Sequence, residues 1–236
     1  MSESAREFVD EDLAEARFVR TDLSGAVMRA AHVDGMDIDA PWLSKLVVNG
    51  VDVAPLVEAE LNRRFPGREL RKPSNPDELR AAWAACRAAW DGAVAAAPRD
   101  AVDVQVGGEW SFAQTLRHLV MATDVWFRGA VLEVADPYHP IGQPHAEYES
   151  DGFDLSIFTE SSPTYERVLE VRAEHVAMVT DFLASATAED LAVMRQHPWG
   201  PGHQVSTLAC LHVILEEEWE HLRYALRDLE VAVTAS

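Results

Sequence analysis

Three residues on two segments carry the clearest signal for chemistry. In STLACLHVILEEEWEHLRYALRDLE, Glu217 and His221 stand four apart. On a helix that spacing puts both side chains on one face, a turn apart, where they can reach a single divalent cation. His118, in EWSFAQTLRHLVMATDVW, is a third ligand of the right type. Its helical neighbours Met121, Ala122, Val125 and Gly129 are small or apolar, so it is read as facing the interior. Two imidazoles and one carboxylate leave a coordination position open, as in catalytic zinc sites, where the ion lowers the pKa of a bound water or thiol. Spacing alone does not single out this set, because His212/Glu216 and Glu216/Glu220 are also four apart. The plain alternative is a hydrogen-bonded core histidine beside a surface-leaning glutamate.

Other residues border this set. His175 shares a helical face with Val168, Val171, Met178, Val179 and Phe182, which suits a core histidine or one that faces substrate. His203, in HPWGPGHQVS just before the last helix, lies where loop residues border a site mouth. Arg223 and Arg227 follow the Glu217–His221 pair. They would either pair with the Glu216–Glu220 carboxylates or grip an anionic thiol or substrate. Cys86 and Cys210 read as small buried hydrophobes. No Ser-His-Asp order, Walker loop or strand-linked GxGxxG is present.

The elements that must position these residues are helices. Four long segments are predicted: Pro76 to Ala97, Ser111 to Val134, Pro163 to Ser185, and Ser206 to Asp228. Ser111 with Gln114 forms a capping-box pattern, and acidic residues open the first segment. The stretch from Asp136 to Ser162 is too long for a simple hairpin, so the wiring is a bundle with a crossover between helices two and three. No run of alternating strands occurs in this half. Before it, residues 44–75 read as a linker with a short helix near Pro55 to Arg64 and a turn at Asn49-Gly50.

Residues 1–43 follow a different rule. Phe8, Leu13, Phe18, Leu23, Met28, Val33, Ile38 and Leu43 recur at a period of five, which fits neither helix nor strand. The lines ARFVR TDLSG AVMRA AHVDG MDIDA resemble the pentapeptide-repeat family, which implies a small β-solenoid cap. The domains are therefore expected at 1–43 (cap), 44–75 (linker) and 76–236 (metal-binding bundle).

RHLVMATDVW together with CLHVILEEEWEHLRYALRDLE resembles the DinB superfamily. The likeness is closest to the DinB_2 branch, which includes mycothiol-dependent maleylpyruvate isomerase. VNGVDVAPLVEAEL and EWSF are similar in pattern as well. This resemblance implies a mainly α, DinB-like four-helix bundle with His118, Glu217 and His221 as ligands of a divalent metal, zinc being favoured over nickel or iron. Many relatives have histidine where this chain has Glu217. The implied activity is that of a metal-dependent thiol S-transferase or isomerase, in which a mycothiol-like thiol attacks a small electrophile. His175, His203, Arg223 and Arg227 would then line the thiol or substrate site. The alternative is a non-catalytic metal-binding or interaction protein of the same superfamily.

Composition narrows the partners. With 20 basic and 40 acidic residues among 236, the net charge is −20, which repels phosphate backbones and anionic membrane surfaces alike. Two cysteines do not make a disulfide scaffold and suit a reducing, cytoplasmic setting. No signal-peptide pattern and no apolar run of spanning length is read. A small-molecule thiol and electrophile are the expected partners, and a homodimer is compatible with the sequence. Residues 1–43 carry ten acidic and four basic residues, so the acidity is shared between both halves.

Overall fold

The structure is a computed structural model describing residues 6–41, 43–200 and 202–234. The chain divides into two compact units, Met1–Ala40 and Pro41–Ser236. Among the described residues no helix is long and apolar enough to cross a membrane.

In the first unit the backbone turns every five residues. Asp10, Glu15, Arg20, Gly25, Ala30 and Gly35 all have positive φ, between 49° and 77°. Tight turns close from Ala16 to Leu13, Ala26 to Leu23 and Met36 to Val33. The expected β-solenoid is not seen, because no strand forms among the described residues of this unit. The apolar row from Phe8 to Ile38 stays 44–57 % exposed. A stacked core needs about three repeat units to cover its middle, and so short a repeat has no middle.

The second unit is mainly helical. It opens with a hairpin, β1 (Val47–Val48) and β2 (Val51–Asp52), in which Val48 pairs with Val51. Asn49 and Gly50 both take positive φ, the requirement of the tight two-residue turn that Asn-Gly satisfies at least cost. Helix α1 (Ala54–Arg64) follows. Buried Arg68 bonds Glu58 and Asn62 beside it and Glu220 on the last helix, which ties this segment to the bundle. Gly67, at φ 98°, lies where an added Cβ would come within 2.8 Å of the Ala85 Cβ.

Four long helices make the bundle. Asn75 caps α2 (Pro76–Ala96) by accepting from the amides of Asp77 and Glu78. Leu79, Ala82, Trp83, Cys86, Trp90 and Ala93 form its buried face, at the spacing of a helix stripe. The Ser111–Gln114 capping box opens α3 (Phe112–Thr123), which widens into a π-helix over Asp124–Val131. Thr164 caps α4 (Tyr165–Ser185). The last long helix, α6 (Thr207–Thr234), packs against α2, α3 and the π-helix, while α3 also packs on α4.

Sequence patterning missed two local elements. A short helix, α5 (Ala188–Ala192), leads into a hairpin of β3 (Met194–Gln196) and β4 (Gln204–Ser206). Three-residue strands are too short to show alternation. The segment between the π-helix and α4 is the expected long crossover. It carries an aromatic cluster of its own, in which Tyr148, Phe153 and Phe158 pack with Trp199 of the β3–β4 loop and with Met121 and Val125 below.

Candidate metal centre

Side chains of α3 grip the crossover, and that grip sets up the site. Arg117, buried among apolar residues, spreads its guanidinium over the carbonyls of Ile141 (2.7 Å), Ser161 (3.0 Å), Glu160 (3.2 Å) and Gly142 (3.5 Å). A single side chain thereby fastens both ends of the loop. One residue along, His118 Nδ1 lies 2.9 Å from the Gln143 carbonyl. A carbonyl can only accept, so Nδ1 carries the hydrogen. In the neutral ring Nε2 is then left bare, and it points away from the crossover toward α6.

There it meets Glu217. His118 Nε2 is 3.4 Å from Glu217 Oε2, and His221 Nε2 is 3.1 Å from the same oxygen. The two imidazole centroids are 4.6 Å apart. Trp110 packs against both rings, at 4.5 Å from His118 and 5.8 Å from His221. His118, Glu217 and His221 each place one ligand atom within 4.8 Å of the others, a grouping able to hold a metal ion.

The donor set fits such an ion. Bonds of 2.0–2.2 Å in tetrahedral geometry space ligand atoms about 3.3 Å apart, close to the 3.1 and 3.4 Å found here. The His118 tautomer strengthens the case: its bare nitrogen faces a carboxylate oxygen, two acceptors in contact unless a proton or a cation lies between them. Fixing one ring nitrogen on a backbone carbonyl is also the usual way a histidine ligand is oriented.

The electrostatics follow from this crowding. Burial pushes the Glu217 carboxyl up; when Nε2 of His118 and of His221 carries a proton, their hydrogen bonds outweigh it and hold the group well below its ordinary 4.5. His221 is held below 6.5, first by burial and then by His118 beside it, with Glu217 opposing. Both shifts favour the deprotonated forms, which are the forms that bind a metal.

A cleft of about 80 Å³ opens over His118 and Glu217. Met121, Ala122, Val125 and Trp126 line it from the His118 face of α3 and the π-helix. His145 of the crossover and Trp199 of the β3–β4 loop complete the lining.

The other sequence-predicted residues lie outside this cleft. His175 is buried with both ring nitrogens engaged, Nδ1 at 2.8 Å from the Val171 carbonyl and Nε2 at 2.7 Å from Asp124 Oδ1. It cannot face a substrate; it is a core histidine whose side-chain partner is a carboxylate. Asp124 also accepts from Arg128 and from the His139 amide, so this cluster fastens the start of the crossover. His203 is exposed on the β3–β4 loop, with its ring 5.5 Å from His197. Arg223 bonds Glu220 at 3.1 Å, and Arg227 holds Asp228 through two nitrogens. Both guanidiniums also lie over the Tyr224 ring. Carboxylate pairing, not a grip on an anionic ligand, is what these two arginines show. Sequence reasoning did not find Trp199 and His145, which reach the cleft from loops. An indole inside the Pro- and Gly-rich HPWGPGH was the available signal for the first.

A family model described as the DinB superfamily matches residues 82–225, which include all three ligand candidates. No curated protein and no solved structure gives a significant match.

Proposed function

The chain belongs to the DinB superfamily, and from that premise we propose that it is a divalent-metal-dependent enzyme acting with a low-molecular-weight thiol on a small electrophile. His118, Glu217 and His221 would hold the ion, with zinc favoured over nickel or iron. When bound, the ion keeps a thiol deprotonated near neutral pH, where a free thiol of pKa about 8.5 is mostly protonated. The chain's own residues do the rest. Glu217 offsets one positive charge, the Gln143 carbonyl fixes the His118 ring, and Trp110 covers both imidazoles. The 33 % exposure of the Glu217 side chain leaves an approach from solvent. Residues 1–43 are read as a short pentapeptide-type appendage with no part in this chemistry.

The observation that carries the metal reading is the convergence of one ligand atom each from His118, Glu217 and His221 within 4.8 Å of one another. Metal analysis of the purified protein tests it. A stoichiometric divalent ion, lost in His118→Ala and in His221→Ala, is expected, and protein purified without any bound metal under non-chelating conditions would sink it. The thiol part rests on the likeness to thiol-using members and has its own test, metal-dependent consumption of mycothiol with monochlorobimane. A non-catalytic metal protein is the second reading. It is favoured by the small size of the cleft, about 80 Å³, and binding of the ion without turnover of any thiol would select it.

A further inference from the structure

The metal ligands do not account for the rest of the cleft. Met121, Ala122 and Val125 give it an apolar wall, and Trp126 and Trp199 bring two indoles from separate elements. Among the described residues no lysine or arginine lines it. The arginines of the neighbouring elements are engaged elsewhere: Arg117 with crossover carbonyls, Arg128 with Asp124 and Pro137, and Arg195 with Thr207 and Glu133. An anionic group settling on this wall would lose water and meet no cation from the chain, which is costly. Indole faces and edges instead favour flat, uncharged rings. Besides the ligands, His145 is the one titratable side chain in the lining; its Nε2 lies 3.5 Å from Asp151 Oδ2, so Nδ1 is the atom left for a single polar substituent. The cleft volume, about 80 Å³, is about half that of an apolar cavity that takes up benzene, so it receives one edge of a single ring and leaves the rest at the open mouth.

We propose that this cleft is the subsite for a single uncharged ring carrying a hydroxyl or carbonyl group, packed against Trp126 and Trp199 with its polar substituent at His145. This gives the substrate class of the metal site and rests on that reading. It also places any anionic group at the ion rather than on the indole wall, which offers no guanidinium.

Fluorine NMR on the zinc-loaded and the metal-free full-length chain tests the proposal. The probes are 4-fluorobenzyl alcohol and 4-fluorobenzenesulfonate, a pair that differs in charge and whose anion is a weak metal ligand. The alcohol is expected to bind about tenfold tighter than the sulfonate or better. Trp199→Ala should weaken the alcohol by about fivefold or more. Trp199 sits on a surface loop, so its variant keeps the fold, which a thermal melt verifies. His145→Phe should keep ring binding but abolish the preference for the alcohol over 4-fluorotoluene. Equal or tighter binding of the sulfonate, or alcohol binding unchanged in Trp199→Ala, overturns the proposal. Metal content of the same samples separates the two ideas. Bound zinc with no ring selectivity sinks the cleft assignment and leaves the metal reading standing. Ring selectivity in a chain that takes up none of zinc, nickel or iron supports the cleft as a ring-binding site but sinks the metal reading, and with it the assignment of the ring as that site's substrate.

Discussion

Glu217 and Glu218 are adjacent on α6, about 100° apart around its axis, and the fold neutralises them differently. The Glu218 side chain is 1 % exposed. It hydrogen-bonds Arg172 of α4, and Arg87 of α2 stands 3.8 Å away. Its partners are guanidiniums, which keep their charge at any pH a protein meets. Glu217 is 33 % exposed and faces two imidazoles, groups whose charge, unlike a guanidinium's, depends on pH. One carboxylate is neutralised by guanidiniums of the chain, although its Oε2 makes no hydrogen bond, and the other is the one the proposed ion would neutralise. Two carboxylates can therefore sit side by side on one helix and differ in whether the partner's charge is permanent.

The sharpest way to break this comparison is to remove the permanent partner. Arg172→Met should strand Glu218 and cost about 3–5 kcal/mol in urea unfolding, whereas Arg172→Met with Glu218→Leu should recover most of it. If the single variant unfolds at the wild-type urea midpoint, the pair is not what neutralises Glu218. Next in size, His118→Ala should lower divalent-metal affinity by about 100-fold or more in a competition assay. The metal-free stability should move by only about 1 kcal/mol. A large stability loss without a change in affinity would make His118 a second structural residue. Arg117→Met should weaken metal binding by about tenfold, because Gln143 would no longer be held against His118. Unchanged affinity would show that the loop needs no anchor there.

The smallest effect is the pH response of the metal-free protein. His221 is depressed below 6.5 by burial and by His118. As pH falls through that value the unfolded chain therefore takes up its proton first, and stability declines toward the lower folded value. Glu217, depressed below 4.5, stabilises the fold above that value and loses its share only as pH falls through its lower folded one. Melting temperature should thus drop between pH 7 and 5 in the wild type and be flatter in His221→Phe. A flat wild-type profile would contradict the environment assigned to His221.

The helical half of the site was legible because its signals are periodic. Helix geometry puts Glu217 and His221 on one face and His118 on an apolar one, the DinB resemblance singles that set out from His212/Glu216 and Glu216/Glu220, and the structure brings all three together. The loop half was not, because the group that orients His118 is a backbone carbonyl, which every residue possesses. His145 and Trp199 join the cleft from segments far apart in sequence. His175 was misread for a different reason. Its apolar neighbours promised burial correctly, but its partner Asp124 lies 51 positions away on another helix. In the first unit the period of five was plain, and the backbone does turn every five residues. Periodicity sets where a row of side chains points, not whether anything covers it, and this row stays half exposed.

Arg117 holds carbonyls at 141–142 and at 160–161, so a single side chain clasps both feet of the crossover. Gln143 stands just inside the first foot, so the exposed residues beyond it can vary while the Gln143 carbonyl keeps His118 in its orientation. In an evolving lineage the part that chooses the substrate is uncoupled from the part that holds the metal. The same clasp offers an engineer a ready graft point for exchanging specificity loops.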